Sequence, residues 1–459
     1  MAEVVAATGG RPEGVNDGPI SSVSIDSREI GSEGLFVAIK GETHDGHDFV
    51  GKALEAGAAA ALVSEAFFAA QGGKNLIVVP DTLKALEALG AAARARSRAE
   101  IIAVTGSASK TTTKEAIRTA LSAVGETHAS IKSFNNHWGV PLMLARLPRE
   151  AQFGVFEIGM NHPGEITPLV KLVRPHIAVI TTVAPAHLQF FNSVSDIAAA
   201  KAEIFLGLEP GGTALLNADH DYLHILFNHA RKAKVGRIVT YGFDDSADWR
   251  ITDIEMLPTR TIAQVVHGNE TLGLSLPVPG RHMVANAVAA LAVAHLSGEG
   301  TTAALHALAQ FGAAEGRGAT TLLGPKDKPL LLVDESYNAN PASMAAALEV
   351  YARMQPPAGD KVLVLGDMLE LGEQSPALHA KLKDSVVAAG AKRIFLVGES
   401  MGALAEALET EPVAGYAKSI EELSEAILAG LAYGDSVMVK GSKGVRLAGL
   451  VEAIRDRFK

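Results

Sequence analysis

The 459-residue chain contains no cysteine. Disulfides, thiolate metal sites and thiol nucleophiles are therefore excluded. Aromatic residues are scarce at 5%, and tryptophan occurs only twice. Basic residues are in deficit: 41 Lys and Arg stand against 51 Asp and Glu, a formal net charge of −10. That balance argues against a general nucleic-acid surface, which needs a basic face. A local cluster of Lys and Arg can still receive a small anion. No apolar run is long enough to span a bilayer. The opening residues from Met1 carry no basic segment ahead of an apolar core, so no signal peptide is expected. The expected location is cytoplasmic, with which the missing cysteines are compatible.

What is present suits a large α/β protein. Hydrophobic residues make up 48% of the chain, and 45 glycines serve many tight strand–helix turns. The length suggests about three domains at roughly 150 residues each. Residues 1–98 read as a small α/β domain, with strands at 34–40, 61–64 and 75–79 and helices near 52–58 and 83–98. Residues 99–315 alternate near-continuous apolar strands (154–158, 177–183, 212–216, 238–241) with helical stretches, the pattern of a buried parallel sheet. Within them, residues 248–278 read as an antiparallel appendage, and an Ala-rich helix runs from 280 to about 296. Residues 316–459 alternate again, with a helix expected over 376–389, and read as a second, Rossmann-like doubly wound domain.

The most informative stretch runs from Ala103 to Lys114. An apolar strand, Ile101–Val104, enters a small-residue turn, and Lys110 and Thr111 open a helical segment evident over 114–121. This is the layout of a phosphate-binding loop. Backbone N–H groups at a helix start cradle phosphate oxygens, the lysine sits on the outer phosphates, and the threonine hydroxyl can ligate Mg²⁺. Ser109 occupies the place before the lysine where such loops usually have Gly. The residues alone also fit a Ser/Thr-rich helix cap.

Other polar residues stand where an open α/β sheet binds ligands, just beyond strand ends. Glu157 closes the strand 154–158, and His187 follows the next long strand. Alone, each also fits an ordinary strand-end or turn residue. Lys201 lies in a helix, where most lysines are solvated, and Asn135 and Asn136 form a polar turn of a kind that commonly caps a helix. The Asp334–Pro341 and Gly366–Gly372 segments follow two strands of the last domain. Two such edges facing one phosphate loop point to an interdomain cleft.

Taken together, the motifs resemble the Mur ligase family. The resemblance covers nearly the whole chain: Asp26–Arg28 and Gly41–His47, then the phosphate loop, Phe134–Pro141, Glu157–Ile166, Ala184–Leu188, Glu315–Gly318 and Asp334–Pro341. It implies ATP-dependent amide formation in peptidoglycan precursor synthesis, through an acyl phosphate. The substrates implied are UDP-N-acetylmuramoyl-tripeptide and D-alanyl-D-alanine. Gly106, Ser107, Ala108, Ser109, Lys110, Thr111 and Thr112 would hold the ATP phosphates. Asn286 would meet adenine, Asp334 the ribose and Arg317 the phosphates. Thr111, Glu157, His187 and Lys201 would hold Mg²⁺, the lysine as a carbamate. Lys110, Glu157, His187 and Lys201 form the implied catalytic set. Ser27, Arg28, Thr43, Asp45 and His47 would receive the uridine nucleotide, and Asn135 and Asn136 would lie near the reacting centre. Two other readings stand beside this one: a folate polyglutamylating ligase of the same architecture, or a nucleotide-binding partner protein without catalysis. Ser109 motivates the second.

Overall fold

The computed structural model describes residues 1–41 and 43–459; Glu42, within the Gly41–His47 motif, lies outside the described residues. Three sheets follow one another along the chain. The first comprises β1 (Arg11–Glu13), β2 (Ser22–Ser24), β3 (Gly34–Val37), β4 (Ala60–Ser64) and β5 (Leu76–Val79). Its order is β1-β5-β4-β3-β2, parallel except for β1.

The central sheet comprises β6 (Glu100–Thr105), β7 (Thr127–Ala129), β8 (Phe153–Glu157), β9 (Ile177–Ile180), β10 (Thr213–Asn217), β11 (Arg237–Gly242), β12 (Trp249–Met256), β13 (Thr261–His267) and β14 (Glu270–Leu276). They lie in the order β14-β13-β12-β11-β10-β9-β6-β8-β7. Successive residues of β6 serve different cores: Ile101 and Ala103 face one, Ile102 and Val104 the other. Burial on both faces is why this strand reads as continuously apolar. The Lys110–Ser122 and Arg281–Leu296 helices pack together on one face. The Thr82–Arg96, Gly139–Ala145 and Ile166–Val173 helices cover the other. The expected appendage is β12–β14: β13 and β14 pair antiparallel, and β13 alternates buried and exposed residues.

The third sheet comprises β15 (Ala319–Leu323), β16 (Leu330–Glu335), β17 (Lys361–Gly366), β18 (Arg393–Val397), β19 (Val413–Ala417) and β20 (Ser436–Lys440). Its order is β15-β16-β20-β17-β18-β19, parallel except for β15. One apolar cluster links faces of all three sheets, running through Leu35, Leu62, Ile101, Ala178, Leu363 and Met438.

Several local expectations change. Helices at Ala2–Thr8 and Glu65–Gln71 were not expected; Ser64 caps the second by accepting from Phe67 N–H. The single helix expected over 376–389 is two, Ser375–Ala380 and Lys383–Ala389. The phosphate-loop helix begins at Lys110, one turn before the segment that the sequence pattern made evident.

Candidate functional site

β6 lies between β8 and β9, so three carboxyl ends stand side by side: Thr105 leading into the phosphate loop, Glu157, and Ile180 leading to His187. The loop is held from behind. Thr181 Oγ1 donates to Ala108 O at 2.6 Å, Ser107 N–H to Thr182 O at 2.7 Å, and Ser107 Oγ to Ala184 O at 2.9 Å. Gly106 is packed so closely that a Cβ there would lie 1.8 Å from Thr181 Oγ1. Ser109 sits in the left-handed region, φ 63° and ψ 2°, and its hydroxyl makes no capping bond. The helix-cap reading of the loop therefore does not describe Ser109. The usual glycine at such a position has a backbone reason.

Lys110 Nζ folds back on Gly106 O at 2.8 Å, over the mouth of the loop. Thr111 Oγ1 donates to Glu157 Oε2 at 2.8 Å, and Asn135 Nδ2 donates to Glu157 Oε1 at 2.7 Å. Asn136 instead bonds the first residue of the next helix, its Oδ1 accepting from Gly139 N–H at 2.9 Å. Thr112 is half-buried beside them.

Electrostatics single out the lysines. Burial lowers the Lys110 pKa, with the Arg317 charge adding to that and Glu157 opposing it. Lys201 is 1% exposed, and its pKa falls well below the ordinary lysine value, through burial first and then the charge of Lys110. Among the described residues no carboxylate acts on it. Lys110 thus lies within reach of three charges: Glu157, Arg317 and Lys201.

The third sheet meets this site directly. Asn340 caps the Pro341–Arg353 helix by accepting from Ser343 N–H, while its Nδ2 donates to Ser107 O at 3.1 Å. Arg317 stacks on the Tyr337 ring at 3.9 Å and reaches Ser133 Oγ at 3.4 Å; Tyr337 OH donates to the same oxygen at 2.6 Å. His187 Nδ1 bonds Glu370 Oε2 at 2.5 Å, which holds the Glu370 carboxyl below its usual range. Asp334 is buried, its Oδ1 accepting from Ser336 N–H and Oγ, its Oδ2 from Gly316 N–H at 3.1 Å. Arg455 Nη2 stands 3.6 Å from the same Oδ2 as an ion pair. Asn286 Oδ1 accepts from Thr113 Oγ1 at 3.0 Å, and among the described residues its buried Nδ2 has no partner.

The first-domain residues stand apart from this network. Arg28 is exposed and chelated by Asp26, whose pKa it holds down to about 2. Ser27 is half-buried between them. Thr43 bonds its neighbour His44. Asp45 accepts from His47 N–H and from its Nδ1 at 2.6 Å, and His47 Nε2 accepts from Ser64 N–H at 3.0 Å. Asp45 and His47 are thereby committed to shaping their own turn. Lys132 joins this domain to the centre through Glu29 at 3.0 Å.

Sequence reasoning assigned no role to Ser133, Tyr337, Asn340 or Glu370, each of which closes the cleft. Lys114 was missed too. It is fully buried and donates to Ser130 O at 2.5 Å, fixing the strand end that leads to Ser133. Its spacing of four from Lys110, one face of a helix, was the available signal.

Fold and site together define a three-sheet α/β protein that closes a phosphate loop against a second, doubly wound sheet. Family models match in the same order: "Mur ligase family, catalytic domain" over residues 19–79, "Mur ligase middle domain" over 104–294, and "Mur ligase, glutamate ligase domain" over 320–443. The UDP-N-acetylmuramoyl-tripeptide–D-alanyl-D-alanine ligase of Escherichia coli strain K12 is 36% identical over 95% of this chain and 94% of its own. That of Rickettsia prowazekii is 32% identical over 94% of each. A crystal structure of MurF from Acinetobacter baumannii superposes with a TM-score of 0.84 at 31% identity, covering 99% of this chain and 98% of that one. The chain belongs to the Mur ligase family.

Proposed function

We propose that the chain is an ATP-dependent ligase that joins D-alanyl-D-alanine to UDP-N-acetylmuramoyl-tripeptide in peptidoglycan precursor synthesis. The two relatives above carry that name, each over more than nine-tenths of both chains. The observation that carries the chemistry is Lys110 over the mouth of a phosphate loop, with Glu157, Arg317 and Lys201 all close enough to act on its charge. A partly desolvated, net-cationic pocket suits a polyphosphate that gains charge during transfer.

In this reading the tripeptide's terminal carboxylate oxygen attacks the γ-phosphorus and ADP leaves, giving an acyl phosphate. The amine of D-alanyl-D-alanine then attacks the acyl carbon, loses a proton, and expels phosphate. Lys110 would release Gly106 O and neutralise the transferring phosphoryl group. Arg317, held on Tyr337, would flank the phosphates, and Asp334, held by Gly316, Ser336 and Arg455, would accept from a ribose hydroxyl. Asn340 and Glu370 would keep the third domain closed over the loop, excluding water that would hydrolyse the acyl phosphate. Arg28 and its neighbours would take the uridine nucleotide. The domains are taken as 1–98, 99–315 and 316–459, in a cytoplasmic protein.

The residues fit Mg²⁺. Thr111 Oγ1 and Glu157 are hard oxygen donors 2.8 Å apart at the helix start. Among the described residues no three His, Cys, Asp or Glu side chains form a cage, in keeping with an ion held mainly by nucleotide phosphates. Bound there, Mg²⁺ would draw charge from the phosphoryl oxygens. Lys201, buried without an anion, would join the donors as a carbamate, which its lowered pKa favours because carbamate formation needs the neutral amine.

A coupled phosphate-release assay tests the reading, with the lysine and the diaminopimelate tripeptide nucleotides supplied in parallel. Release is expected only when ATP, one of these nucleotides and D-alanyl-D-alanine are all present. Release with a folate and glutamate instead would favour the polyglutamylating alternative. No ADP formed under any condition would favour the partner-protein alternative.

A further inference from the structure

We propose that a hydroxyl pair from two domains, Ser133 and Tyr337, positions Arg317 for the phosphates of the bound nucleotide. The inference rests on the reading that Arg317 flanks those phosphates. The Arg317 guanidinium lies on the Tyr337 ring, 3.9 Å from its centre. A guanidinium stacked on a ring keeps its N–H donors in its own plane, open to an anion at the edge. Among the described residues this guanidinium makes one hydrogen bond, the long one to Ser133 Oγ at 3.4 Å. The platform determines where the edge points, so whatever fixes the ring fixes the arginine.

Two sets of contacts fix the ring. Within its own domain, Tyr337 N–H donates to Gly316 O at 3.1 Å, and a Cβ on Gly316 would stand 3.0 Å from Tyr337 Cβ. The turn that carries Arg317 is thus laid against the Tyr337 backbone. Across the cleft, the Tyr337 hydroxyl bonds Ser133 Oγ at 2.6 Å. Ser133 is itself held. Lys114 Nζ donates to Ser130 O at 2.5 Å and reaches Lys132 O at 3.4 Å, and Asn135 N–H donates to Ser133 O at 2.8 Å. The central domain therefore sets the angle of a ring that the third domain supplies. Ser133 and Tyr337 are positioning residues, acting on the nucleotide through Arg317.

The test is equilibrium binding of two ligands, the non-hydrolysable β,γ-imido analogue of ATP and adenosine. The proteins are wild type, Tyr337→Phe, Ser133→Ala, the two changes together, and Arg317→Ala. Adenosine has no phosphates, so a general loosening of the cleft weakens both ligands, whereas a misplaced arginine weakens the triphosphate alone. Tyr337→Phe and Ser133→Ala should each weaken the triphosphate about fivefold, the worth of one hydrogen bond, and leave adenosine within about twofold. The double variant should also lose about fivefold, because both changes remove the same bond. Tyr337→Phe keeps the ring and its volume, and it decides alone should Ser133→Ala not fold. Wild-type affinity for the triphosphate in either single variant, equal losses for the two ligands, or multiplied losses in the double variant overturns the proposal. An Arg317→Ala protein that binds the triphosphate as wild type does removes the underlying reading instead, since Arg317 then meets no phosphate.

Discussion

The phosphate loop and the Asp26–His47 region both carry motifs of similar length, but the structure treats them differently. Around the loop, side chains from the central and third sheets bond one another across the cleft: Asn340 to Ser107, Tyr337 to Ser133, Glu370 to His187. In the first domain the motif carboxylates bond their own sequence neighbours, Asp26 with Arg28 and Asp45 with His47. The side chain of Arg28 is 87% exposed, whereas that of Lys201 is buried. The loop site is organised before any ligand arrives. The first-domain residues form a more open surface, which in the proposed reading the uridine nucleotide completes. Losses at the first should fall on turnover, and losses at the second on the affinity of one substrate.

Lys110→Ala gives the largest expected effect. Removing the cation that faces the transferring phosphoryl group should cut kcat at least a hundredfold in a protein that still folds. Gly106→Ala should match it for a different reason, since the new methyl group collides with a threonine held by two carbonyls. ADP release at saturating substrates measures both. Near-normal turnover in either would mean that the loop does not hold the reacting phosphates.

Lys201→Ala comes next. It should be nearly inactive, and short carboxylic acids added to the assay should restore part of the rate by supplying an anion. Bringing back a negative charge tests the carbamate, whereas loss alone would test only packing. An alanine variant that stays active argues against the modified lysine.

Arg28→Ala sharpens the other side of the comparison. Its KM for the tripeptide nucleotide should rise about tenfold, while KM for ATP stays within about twofold. His47→Gln should instead lower the melting temperature, because the imidazole joins Asp45 to the Ser64 backbone. An equal rise in both KM values for Arg28→Ala would erase the distinction between an organised and an open site.

The contrast also governs what the sequence reveals. Strands buried on both faces, such as β6 and β8, announce themselves as apolar runs, and the loop between β6 and its helix is marked by Lys110 and Thr111. The short helices Ala2–Thr8 and Glu65–Gln71 present little buried apolar surface and left no periodic trace. Lys201 looked solvated in composition and proves to be buried, because a helix lysine carries no mark of which face it occupies until the neighbouring layers are known. Tyr337 and Asn340 lay inside a noticed motif, yet their partners, Ser133 and Ser107, are about 200 positions away. Contacts of that range come from topology, which places two sheet edges together, and no local pattern encodes them.

Ser109→Gly gives the smallest effect and probes the loop most finely. The sequence raised the question of whether position 109 needs a backbone that serine resists, and φ 63° answers that it does. A residue with a Cβ in that region costs about 1 kcal/mol relative to glycine, roughly a fivefold effect. The rest of the grip is intact: Lys110, Thr111 and the backbone of the loop are in place, so the parent is expected to bind ATP. The hydroxyl does not offset the strain through a helix cap, since it makes none. The remaining offset is a hydrogen bond from Ser109 Oγ to a phosphate oxygen. Side-by-side ATP affinity and ligation rate separate the two terms. A glycine variant up to about fivefold better in either shows strain prevailing. Equal or worse values in both would mean that serine's bond to phosphate outweighs its backbone cost, and that the loop uses a side chain where others use only main chain.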